Sequence, residues 1–208
     1  MLIFLHHRLV FLAVPKTGTT ALEDALSAHS SIVLRGPPAV RHMNAGEYHH
    51  SWGPFLRETY DMVPHTMAVL REPMERLRSW YKYRRASEFA GMRVSTKGVS
   101  FEQFLEATLA DERPAYAQIG SQDRFCLSAK DEPRIRHLFV YEDLGRALGF
   151  LEERLDRRIK LAARNRSPRA WTRVSAELIA RVRLQRAREF SLYEKVAQSG
   201  HLETPKAH

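Results

Sequence analysis

The chain has 208 residues, 44% apolar and 27% charged, which is the balance of a globular protein and excludes disordered and fibrous classes. Lys and Arg number 33 against 24 Asp and Glu, a formal charge of +9 that attracts polyanions in general. There is no zinc-ligand spacing, RNA-recognition aromatic motif or basic tail to select a nucleic acid, and the single cysteine, Cys126, rules out an internal disulfide.

Met1 to Val14 holds two apolar runs around His6, His7 and Arg8. That interruption makes it too short and too broken for a membrane span, and Pro15-Lys16 is a poor cleavage site. The second run, Leu9 to Val14, reads as a buried strand that breaks at Pro15 into Lys16-Thr17-Gly18-Thr19-Thr20. A helix follows, with Leu22, Ala25 and Leu26 on one face. Strand, small-residue loop and helix N-terminus in this order form an anion cradle, because the first helical amides lack internal partners. Gly18 permits close approach of the backbone, the threonine hydroxyls add donors, and Lys16 adds a charge. The Walker A pattern of ATP and GTP enzymes places its lysine after the last glycine, whereas Lys16 precedes the only one here.

Ser30 to Leu34 is a possible strand, broken by Gly36-Pro37-Pro38. Asn44 caps a short helix with Glu47 in the capping-box position. Ser51 to Pro54 reads as a turn, followed by a brief helix near Phe55 to Tyr60. Thr66 to Leu70 is a second strand, and Pro73 suits the first turn of the helix after it, which ends near Glu88. Leu77, Trp80, Tyr81 and Arg84 share one stripe of that helix; Arg76, Ser79 and Tyr83 share another. Arg71 falls at the strand's C-terminal end, where open α/β sheets bind ligands. Gly91 to Gly98 reads as a flexible loop, Ser100 opens a helix through Ala110, and 111–134 is irregular. His137 to Leu144 is a buried-strand pattern ending in acids, with helices expected over Leu144 to Leu155 and Ser175 to Phe190. Residues 1–198 are expected to form one domain and 199–208 a disordered tail.

Pro15-Lys-Thr-Gly-Thr-Thr20 resembles the 5′-phosphosulfate loop of sulfotransferases, and Arg71-x-Pro-x-x-Arg-x-x-Ser79-x-Tyr81 resembles their 3′-phosphate motif. Arg41-His-Met-Asn-Ala-Gly-Glu47 resembles an element of small bacterial and carbohydrate-type members. The likeness implies an α/β, three-layer P-loop-like fold with a central, mainly parallel sheet flanked by helices. It also implies 3′-phosphoadenosine 5′-phosphosulfate (PAPS) as donor, 3′,5′-adenosine bisphosphate as product, and no metal. Pro15, Lys16, Thr17, Gly18, Thr19 and Thr20 would hold the 5′ group, with Lys16 neutralising the leaving phosphate. Arg71 and Ser79 would hold the 3′-phosphate, and Arg166 and Arg169, beside Trp171, are candidates for further anionic contacts. Golgi members carry an anchor helix, and a cytoplasmic protein is expected here.

His42 is the favoured general base, since an imidazole titrates near neutral pH, and Glu47 is the runner-up. His42, His49 and His50 lack the acidic spacing of a metal site. The acceptor is a small molecule or carbohydrate whose pocket is expected in residues 36–60 and 91–134. A P-loop-type nucleotide kinase and a nucleic-acid-binding module are the competing readings.

Overall fold

A computed structural model describes residues 1–162 and 170–205. Strands β1 (Leu2–Phe4) and β2 (Leu9–Phe11) form the opening hairpin, and helix α1 (Thr19–Leu26) follows the cradle loop. Next come β3 (Ile32–Val33), α2 (Pro38–Arg41), α3 (Ala45–His50) and α4 (Trp52–Tyr60). Strand β4 (His65–Leu70) leads into α5 (Pro73–Tyr83), then α6 (Phe101–Leu109) and α7 (Gln122–Cys126). Strand β5 (His137–Val140) precedes α8 (Leu144–Leu155), and the described chain closes with α9 (Ala176–Gln185), α10 (Ala187–Ser199) and β6 (His201–Glu203).

The six strands lie in the order β3-β1-β2-β4-β5-β6. The sheet is parallel at its centre, β2 with β4 and β4 with β5, and antiparallel at both edges. Successive side chains of a strand point to opposite faces, and here each face meets its own helices. Ile3, Val10, Leu12, Ala68, Leu70, Leu138 and Val140 pack with Tyr48, Leu56, Phe125, Leu192 and Val196 of the helices on one side. Leu9, Phe11, Met67, Val69 and Phe139 pack with Leu22 and Leu26 of α1 and Ala147, Leu151 and Leu155 of α8 on the other. Both faces are covered, so β2, Met67 to Leu70 of β4 and Leu138 to Val140 of β5 read as continuous apolar runs. A satellite core joins α5, α6 and α9 through Leu77, Tyr81, Phe101, Phe104, Leu178 and Val182. The architecture is the three-layer α/β arrangement anticipated from the sequence.

Four local expectations change. The turn expected at Ser51 to Pro54 is already the first turn of α4. The irregular 111–134 stretch contains α7, which carries Gln122 in its first turn. The single helix expected over 175–190 breaks at Arg186, whose guanidinium turns inward to Glu189, and then runs on to Ser199. Part of the expected tail is ordered: Gly200, at φ +69°, reverses the chain so that His201–Glu203 pairs with β5. Among the described residues no helix is long and apolar enough to cross a membrane.

Candidate functional site

The cradle loop sits beyond the C-terminal ends of the parallel strands β2 and β4. Lys16 and Gly18 both have positive φ, +71° and +77°, and this double reversal curls the backbone before α1. Gly18 has a second constraint besides its torsion. A Cβ there would lie 2.6 Å from the Tyr141 ring, inside contact distance. Among the described residues, none of the amides of Lys16, Thr17, Gly18, Thr19 and Thr20 donates to a protein acceptor. Five successive unspent donors at a helix N-terminus favour an anion.

The loop's side chains divide. The Thr17 hydroxyl is buried and donates to Val14 O at 2.9 Å, so it braces the turn and is not a free donor as the sequence suggested. Thr20 Oγ1 accepts from Arg41 at 3.2 Å, which leaves its own proton available. Thr19 is buried at the helix start. The Lys16 ammonium lies 3.8 Å from the centre of the Tyr83 ring and 5.9 Å from that of Trp80. Burial, and secondarily the Arg71 charge, lower its pKa to about 8, so it stays mainly protonated at pH 7.

The second motif reaches the same place. Arg71 follows β4, and its guanidinium donates to Lys16 O at 3.4 Å and lies 4.8 Å over the Tyr141 ring. Its Nε is buried without a protein partner among the described residues, an unsatisfied donor of a kind that calls for an explanation. The Arg71 backbone is held on both sides by one side chain: Gln122 Oε1 accepts from its N–H at 2.7 Å, and Gln122 Nε2 donates to its carbonyl at 2.8 Å. Pro73 opens α5 behind a Glu72 N-cap, as its fixed φ allows. Arg76, Ser79 and Tyr83 then share the stripe facing the loop. Arg76 donates to Pro15 O at 3.1 Å and Tyr83 carries the Lys16 ammonium, so Ser79, between them, faces the cradle as well. Its hydroxyl has no hydrogen-bond partner among the described residues.

His42 closes α2, and its Nδ1 lies 2.7 Å from Ala13 O, one residue before the end of the Leu9 to Val14 run. A carbonyl can only accept, so Nδ1 carries the proton and Nε2 keeps its lone pair. Burial, with help from Arg41, holds the imidazole below its usual pKa and hence neutral. Glu47 is exposed and completes the capping box with Asn44, accepting from the Asn44 N–H at 3.0 Å. His49 and His50 turn to different carbonyls, Arg134 O and Gly46 O. Among the described residues no group of three His, Cys, Asp or Glu side chains could hold a metal ion. Arg166 and Arg169 lie outside the described residues.

A groove of about 640 Å³ opens on the opposite stripe of α5, lined by Tyr81, Arg85, Phe101, Trp171 and Arg173, and contains none of the cradle residues.

Sequence reasoning missed the supports. Arg76, placed by the sequence only on a stripe with Ser79 and Tyr83, is 2% exposed and paired with Glu189. Its place inside the Arg71–Ser79 motif was the available signal. Tyr141, Gln122 and Glu189 act on Arg71 or Arg76 across 51 to 113 residues, and nothing local announces them. The model of the sulfotransferase family matches residues 1–190. No curated protein and no solved structure matches the chain.

Proposed function

The chain belongs to the sulfotransferase family, an enzyme family of sulfuryl transfer, and on that premise we propose that its donor is PAPS and its acceptor the hydroxyl of a carbohydrate or glycoconjugate. The observation that carries the reading is the run of five unspent amides from Lys16 to Thr20, flanked by the Lys16 ammonium and the Arg71 guanidinium. Such a cradle suits a tetrahedral anion, and the unpartnered Arg71 Nε with the Ser79 hydroxyl supplies donors for a second one. The acceptor class rests on the likeness of Arg41–Glu47 to the carbohydrate-type element.

In this reading the acceptor oxygen forms its bond to sulfur as the bond from sulfur to the 5′-phosphate oxygen breaks. The acceptor proton passes to His42 Nε2, the free lone pair of a neutral imidazole. The charge that collects on the leaving phosphate meets the Lys16 ammonium and the loop amides, donors fixed before the reaction begins. Glu47 serves as a helix cap and His42 as the base.

Thermal-shift titration with 3′,5′-adenosine bisphosphate, ATP–Mg²⁺ and a DNA duplex tests the donor. The bisphosphate at about 100 times its Kd should stabilise the fold by about 2.7 kcal/mol, and Lys16→Ala and Arg71→Ala should remove the shift. Stabilisation by ATP–Mg²⁺ alone, or by DNA with no nucleotide effect, would overturn the reading. Transfer of labelled sulfate to a panel of sugars, phenols and sterols identifies the acceptor class.

A further inference from the structure

Behind the two anion anchors lies a buried carboxylate that neither of them displays. Glu189, in the first turn of α10, is 1% exposed. Its Oε1 accepts from Arg76 Nη1 at 3.3 Å and from the Gln122 N–H at 3.0 Å. Each donor continues to one anchor. Arg76 also donates from Nε to Pro15 O, the first residue of the cradle loop, and through Nη1 and Nη2 to Gly120 O at 3.0 Å. Gln122 spends both ends of its side-chain amide on the Arg71 backbone, as described above. The second carboxylate oxygen, Oε2, is taken by Arg186 at 2.8 Å.

We propose that Glu189 is a positioning residue that ties the 5′ cradle and the 3′ clamp into one rigid unit, and so selects a nucleotide phosphorylated at both ends. The inference rests on the nucleotide reading above and deepens it. Two branches leave one oxygen: Glu189–Arg76–Pro15 sets the cradle, and Glu189–Gln122–Arg71 sets the clamp. A buried carboxylate with an arginine on either side is rigid, because a charge removed from water is stable only where its hydrogen bonds are complete. Burial draws the Arg76 pKa down only to about 10, with Glu189 the main opposing influence, so the guanidinium stays charged at neutral pH.

The branches predict a crossed pattern of affinities for adenosine 5′-monophosphate and adenosine 3′-monophosphate, read by calorimetry on the full chain. Arg76→Lys keeps a cation against Glu189 but loses the bond to Pro15, and should weaken the 5′-monophosphate about tenfold while sparing the 3′ one. Gln122→Met keeps the shape but frees the Arg71 backbone, and should weaken the 3′-monophosphate about tenfold while sparing the 5′ one. Glu189→Gln should weaken both, and cut 3′,5′-adenosine bisphosphate by more than either branch variant does. A residue that merely holds the fold together would lower all affinities in parallel in all three variants. If Glu189→Gln does not fold by circular dichroism, the crossed pair decides: opposite selectivities support the inference, and equal losses or none overturn it. A folded Glu189→Gln that affects one ligand or neither also overturns it. Failure of the unmodified chain to bind the bisphosphate at all overturns the nucleotide reading and this inference with it; binding indifferent to the three variants overturns the inference alone.

Discussion

The two ends of strands β4 and β5 handle polar groups in opposite ways. At the C-terminal end, the loop amides, Arg71 Nε and the Ser79 hydroxyl have donors with no protein partner among the described residues. At the other end, His65 of β4, His137 of β5 and His201 of β6 form a row across three neighbouring strands. His65 Nδ1 lies 3.1 Å from His137 Nε2, and His137 Nδ1 lies 3.1 Å from His201 Nε2. Phe139 stacks on His201, and Phe150 packs on His137. Histidines attract functional interpretation, yet here the imidazoles satisfy one another, while the groups without a protein partner among the described residues are ordinary amides, a hydroxyl and an arginine. Spent hydrogen bonds indicate structure and unspent ones indicate function.

That contrast can be broken by substitution at each end. The largest effect is expected for Lys16→Ala, which in the proposed mechanism removes the cation facing the leaving phosphate: kcat should fall about 10²–10³-fold in a sulfate-transfer assay, with the melting temperature nearly unchanged. A variant that melts early and keeps its turnover would reverse the assignment. His42→Ala should cost about 10²-fold in kcat. Because burial holds His42 below its usual pKa, and the base must be neutral, the acid limb of the kcat profile should lie below pH 6.5. A limb above pH 7 would point to a different base.

At the satisfied end the readout should be stability. Burial lowers His137 to about 4, against 6.5 for the free side chain. The unfolded chain therefore takes up a proton at a higher pH than the folded one. Folding stability is full above about 6.5 and should decline by about 2 kcal/mol as the pH falls towards 4. Glu203 opposes the shift, whereas His201, His65 and Arg136 reinforce it. Urea midpoints measured from pH 7 to 4 should show this slope, and His137→Phe should flatten it without changing kcat at pH 7. The smallest effect belongs to Asn44, whose side chain accepts from the Glu47 N–H at 3.0 Å. Asn44→Ala should cost about 1 kcal/mol of stability, read from the same titrations.

What the sequence made legible was contiguous. The loop from Pro15 to Thr20, the Arg71–Ser79 spacing, the Asn44–Glu47 capping box and the helix start at Ser100 each place all their information within a dozen residues. Helix α8 runs over Leu144–Leu155 as expected, because its apolar stripe and flanking residues are local. The losses were long-range. Arg76 carries the same charge as any surface arginine, and only its partners at 15, 120 and 189 make it internal. The Thr17 hydroxyl looked free until the turn placed it under Val14 O. The break at Arg186 follows from an inward ion pair, and β6 from the exposed edge of β5, neither of which leaves a periodic trace.

The brevity of the outermost strands has a consequence for solubility. A sheet with a largely apolar interior is liable to recruit other chains along its rims, where unpaired backbone groups serve as a template. Here one rim is the two-residue β3 and the other the three-residue β6, whose Glu203 is paired with Arg136 at 2.8 Å. An incoming segment would find too few peptide groups for a ladder, and would meet ionic side chains on the β6 side. The molecule can thus carry continuous Val, Leu and Phe runs in its centre while presenting little purchase for fibril growth.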